Sequence, residues 1–106
     1  MGRRPSIGVL GVAGLLGAGF APAAGDTRKQ AVDLAQQAYE QARSQGVSFE
    51  RGPCLGVIMP GWVADVAHQP RQPVDNQLGN QCAAFRAGEA KHFVELDPQG
   101  NLIRAR

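Results

Sequence analysis

Cysteine is scarce in this chain, aromatic residues are few, and no long apolar run reaches the length of a membrane helix. Each shortage excludes something. The two cysteines, Cys54 and Cys82, allow only one intramolecular pairing. The longest apolar stretch, residues 7–20, falls short of the roughly 20 residues that cross a bilayer, and glycines interrupt it. An excess of positive charge is also missing from most of the chain. Of 11 basic residues, two (Arg3 and Arg4) lie in the first few positions, leaving nine to face nine acidic ones. The nine are scattered, so the phosphate-neutralising patch of a nucleic-acid binder is not expected. Phosphate-cradling glycine loops, serine nucleophile elbows and zinc-binding helix motifs are absent as well.

What is present begins with a targeting pattern. Arg3 and Arg4 precede the apolar residues 7–20, and Ala21-Pro22-Ala23 supplies small residues at a cleavage spacing. This order predicts a secretory signal peptide over residues 1–23. An uncleaved signal, anchoring the protein to a membrane, is the alternative. Either way the remainder is expected to be secreted, periplasmic or otherwise extracytoplasmic, with no membrane span after cleavage.

Removing 23 of 106 residues leaves 83, read as a single small exported domain over 24–106. A domain of that size buries only about 60% of its unfolded surface, so a covalent staple matters. In an oxidising compartment the prediction is a Cys54–Cys82 disulfide, contributing roughly 3–4 kcal/mol through loop closure. Two alternatives compete for the same residues. One is a zinc site of Cys54, His68, Cys82 and His92, whose spacings match no familiar frame. The other is a nucleophilic cysteine, which needs a free thiolate.

Residues 28–45 contain neither Gly nor Pro, and Gly46 follows as a stop. Thr27 with Gln30 matches a capping box. At helical spacing Ala31, Ala35, Ala38 and Ala42 form a flat strip flanked by Leu34, Tyr39 and Val32. Strand character is expected at 47–50, 55–59, 62–68, 92–96 and 102–105, with turns at Pro60-Gly61 and over 97–100. Residues 62–68 alternate with neither face wholly polar, as in a central strand. Residues 69–81 read as a long polar loop, and Asn80 as the cap of a short helix over 81–87 ended by Gly88. The fold class is therefore α+β: one N-terminal helix packed on a small antiparallel sheet of about four strands, with one disulfide.

The candidates for chemistry are Asp65, His68, His92, Glu95 and Asp97. On alternating strands, Asp65 and His68 are expected on opposite faces, as are His92 and Glu95, so neither pair is a ready acid–base dyad. The preferred reading is a non-enzymatic binding or interaction module without a cofactor or metal. Its partner would be a protein, a peptide or an envelope component. The surface would be the 69–81 loop with Trp62, through Trp62, His68, Arg71, Asp75, Asn76 and His92. The alternative is a small hydrolase or metal-dependent enzyme using His68 and His92.

Overall fold

The computed structural model describes residues 24–106, and the predicted signal over 1–23 lies outside the described residues. Helix α1 spans Ala24–Ser44. It begins upstream of Thr27, so the expected capping box does not mark its start; Asp26 instead sits in the first turn, where a negative charge complements the helix dipole. The other end matches the sequence. Gly46 takes φ +82°, its N–H donates to Arg43 O (3.0 Å), and the Val47 N–H donates to Ala42 O (3.1 Å). That is the paired bonding of a Schellman stop, which favours glycine for its left-handed backbone.

Residues 47–50 do not form the expected strand. Phe49 turns inward and stacks on Tyr39, with ring centroids 4.3 Å apart. The chain then enters a four-stranded sheet: β1 (Cys54–Met59), β2 (Trp62–Val66), β3 (His92–Leu96) and β4 (Leu102–Ala105). Sheet order follows chain order. The outer pairs, β1–β2 and β3–β4, are antiparallel, as expected. The central pair, β2–β3, is parallel, running in register from Trp62↔His92 to Val66↔Leu96. This departs from a wholly antiparallel sheet for a simple reason. Residues 67–91 are long enough to cross a face of the sheet and re-enter at the same end.

The two faces divide cleanly. On one, Ala31, Ala35 and Tyr39 of α1 pack on Trp62, Ala64, Val66, Val94, Leu96 and Ala105. Alanine at the centre of the strip brings the helix close to the sheet. Tyr39 closes the far end: its hydroxyl donates to Pro98 O (2.8 Å), and a Cβ at Gly100 would meet its ring at 2.7 Å. Gly100 sits in the 97–101 hairpin turn, where Asp97 Oδ1 accepts from the N–H groups of Gln99 and Asn101, both at 2.9 Å.

The crossover 67–91 belongs to the other face. It contains two 3-10 turns, Pro73–Asn76 and Leu78–Asn80, and one short helix, α2, over Ala83–Arg86. Cys82 occupies the N-cap position of α2. Asn80, expected as that cap, sends its side-chain N–H₂ to Val74 O instead (3.0 Å), tying one 3-10 turn to the next. The Cys54–Cys82 disulfide is formed and fastens the crossover to β1. Both cysteines are therefore consumed, and neither a zinc thiolate nor a cysteine nucleophile remains. Among the described residues no helix is long and apolar enough to cross a membrane.

Candidate functional site: a cleft under the crossover

Strand alternation decides which side chains face the crossover. With Trp62, Ala64 and Val66 turned to α1, Val63 and Asp65 must point away from it. The same holds for Phe93 and Glu95 of β3. The parallel register then sets Val63 beside Phe93 and Asp65 beside Glu95. The crossover does not press flat on this surface. Between it and the strands lies a cleft of ≈ 480 Å³, within the usual range for small-molecule sites. Its floor is Val63 and Phe93, with Phe85 meeting Phe93 edge-to-face at 5.3 Å. Gln81, the Cys82 end of the disulfide and Arg86 form one wall, and Asp65, Glu95 and Arg71 the other.

The two carboxylates are in contrasting situations. Glu95 is clamped: Oε2 accepts from Arg71 Nη1 at 2.9 Å, and Oε1 lies 3.2 Å from Arg104 Nε. Arg71 is held in turn by Asp75 O (3.2 Å) and Asn76 Oδ1 (2.9 Å). Asp65 Oδ1, by contrast, is buried without a hydrogen-bond partner among the described residues. Burial, reinforced by the neighbouring Glu95, pushes the Asp65 carboxyl up to about 7, against weaker opposing effects of the Val66 amide and Arg71. Arg86 is exposed and has no ion-pair partner among the described residues.

A second polar group lies beyond the C-terminal end of β2. Asp75 is buried, and its carboxylate accepts three bonds: from the N–H of His68 (3.0 Å), the N–H of Gln72 (2.9 Å) and His68 Nδ1 (3.0 Å). Burial alone would raise the Asp75 carboxyl. The Gln72 and His68 amides and the His68 ring outweigh it and hold the carboxyl below its ordinary value. Gly52 packs against this carboxylate so closely that a Cβ there would collide with Asp75 Oδ1 and approach Val66 O at 2.9 Å. Asp75 therefore anchors the loop rather than presenting a contact to a partner.

The residues singled out from sequence are thus dispersed. Trp62 is buried on the α1 face and stacks on His92, with centroids 4.7 Å apart, so it is a core residue and not an exposed binding aromatic. Asn76 is exposed and orients Arg71. Of the six predicted surface residues, Arg71 alone lines the cleft. The two histidines stand at opposite ends of the sheet. His92 is level with Trp62, whereas His68 lies beyond Val66, and the strand from Trp62 to Val66 alone spans roughly 13 Å. They are too far apart to hold one metal ion together, and no cluster of metal-ligating side chains occurs among the described residues. The expectation of opposite faces for Asp65 and His68 presumed a strand continuing to 68. The strand ends at Val66, and His68 turns to Asp75 instead.

Phe85, Arg86, Gln81, Val63 and Phe93 were not among the sequence candidates. The available signal was Asp65 itself, an acid in an otherwise apolar central strand. These features define a small disulfide-bonded α+β domain with a cleft on the sheet face away from its helix. No family model, curated protein or solved structure matches the chain.

Proposed function

We propose that this chain is an exported binding module whose ligand site is the cleft between the sheet and the crossover. The observation that carries this reading is the Asp65 side chain in the wall of a preformed, partly apolar cavity, with its Oδ1 buried and unpartnered among the described residues. A buried polar atom without a partner costs about 1–3 kcal/mol, and native folds keep few such atoms, so an acid held this way at a cleft wall points to a use beyond packing. The disulfide supports an oxidising compartment, in keeping with the predicted signal. Binding is favoured over catalysis because the neighbouring carboxylate, Glu95, has both oxygens in ion pairs. The one sulfur at the cleft is oxidised, and no hydroxyl side chain lines it. The occupant is accordingly a small amphipathic molecule or a peptide end. The surface shifts from the 69–81 loop to its underside.

Nuclear magnetic resonance tests this directly. The oxidised, ¹⁵N-labelled protein is titrated with small amphipathic compounds and short apolar peptides. Amide shifts should gather at Val63, Gln81, Phe85 and Phe93 and disappear in Gln81→Trp, which obstructs the wall from a half-buried position. Shifts confined to α1 or to the β4 edge, or none at all, would overturn the proposal.

A further inference from the structure

We infer that the cleft takes an amphipathic carboxylate, its anionic head between Arg86 and Asp65 and its apolar part over Phe85 and Phe93. This rests on the cleft being the ligand site and names what that site selects. The charges around it favour an anion. Two guanidinium groups, Arg71 and Arg86, line the cavity with two carboxyls; Glu95 is ion-paired to Arg71, which leaves Arg86 as the free charge beside Asp65, whose ionised form burial disfavours. Arg71 is committed to Glu95, Asp75 O and Asn76, whereas Arg86 has its donors free among the described residues. A guanidinium presents a planar fork of donors that fits a carboxylate.

Asp65 supplies the second contact when it is protonated. A neutral carboxylic acid in an apolar setting donates its O–H to an anion instead of repelling it. Its carboxyl, raised to about 7 by burial and by Glu95, is substantially protonated near neutrality, and a bound anion holds the proton there more firmly. Charged groups surround Asp65 on two sides. They are Glu95 of β3, and Arg71, Asp75 and Arg86 of the crossover; Arg104 of β4 lies behind Glu95. The paired strand β1, of sequence CLGVIM, carries no charge. A cationic head would meet the unpaired guanidinium of Arg86 and, below about pH 7, a mostly neutral Asp65. The apolar part has a surface ready in Val63, Phe93, Phe85 and the disulfide, none of which offers a hydrogen bond.

The test compares octanoate, octanol and octylamine, which share a tail and differ in the head. Each is titrated into the oxidised, ¹⁵N-labelled protein at about pH 6 and about pH 8. Octanoate should shift the cleft amides and bind roughly tenfold more tightly at the lower pH, as the Asp65 protonated fraction rises. Arg86→Gln should weaken it about tenfold. Asp65→Asn, which keeps an N–H donor, should retain binding and lose the pH dependence. N-acetylphenylalanine, a mimic of a peptide C-terminus, is run beside octanoate, and the tighter of the two names the source of the carboxylate. Octylamine binding more tightly than octanoate, or octanol equalling it at both pH values, would overturn the anion while leaving the cleft as a binding site. So would octanoate binding that Arg86→Gln leaves unchanged. If none of the compounds shifts the cleft amides, the ligand site itself falls.

Discussion

The two faces of the sheet are built by opposite means. The α1 face is closed by alanines and aliphatic side chains, with Ala31, Ala35, Ala64, Val66, Val94 and Leu96 fully buried. The crossover face has a smaller apolar cluster around Val63, Cys82 and Ala90. It relies on a disulfide, an ion-paired Glu95 and the Asp75 hydrogen bonds to hold 67–91 in place. The lesson is that a tightly packed face leaves no room for a ligand, whereas a face held by a few discrete ties can enclose a cavity. Substitutions should therefore act differently on the two sides.

The largest effect is expected from the covalent tie. The Cys54→Ala/Cys82→Ala double variant should lose about 3–4 kcal/mol, the loop-closure value for a separation of 28 residues. Hydrogen exchange should show amides in 67–91 opening before those of α1. If α1 opens first, the two faces are not independent and the contrast between them fails. Next comes the polar tie. Asp75→Ala removes the acceptor of three bonds and should cost about 3 kcal/mol in urea unfolding, with cleft amides shifting more than those of Ala31 and Ala35. On the closed face, Ala35→Leu adds bulk at a fully buried position and should cost about 2 kcal/mol by overpacking. It should leave octanoate affinity unchanged. A change in that affinity would mean that strain crosses the sheet.

How far the sequence foretold this molecule follows from the range of the interactions involved. The α1 strip, the Gly46 stop, the 97–101 turn and the disulfide pairing were all legible. The first three are set by residues within a few positions of one another, and two cysteines allow one connectivity. The direction of β3 relative to β2 was not legible, because either orientation satisfies the alternation of both strands. That single fact governs the cleft. It sets Asp65 beside Glu95, separates His68 from His92, and sends Phe85 and Arg86 over Val63. The role of Asp75 was misjudged for a related reason. A polar residue in a polar loop reads as exposed until its three donors, two of them backbone, are brought around it.

The smallest effect on stability is also the most specific. Asp65 has a folded carboxyl raised from 3.8 to about 7, so the folded state holds its proton where the unfolded chain has released it. For a raised acid, the favourable contribution is complete below the unfolded value and is lost as pH climbs toward the folded one. Stability should therefore decline between about pH 4 and about pH 7 in the native protein. Asp65→Asn, which cannot ionise, should remove that decline. The difference between variant and native protein should be near zero at about pH 4. It should grow to about 1 kcal/mol in favour of the variant above about pH 7, a value discounted for the partial exposure of the site. Asp75 does not obscure this. Its folded value is lowered, so its contribution is present above 3.8 and is lost only as pH falls further, on the acid side of the Asp65 window. Urea unfolding at four or five pH values separates the two limbs. Parallel curves for variant and native protein would mean that Asp65 is solvated, and the cleft would then lose the unpartnered group on which its function as a ligand site depends.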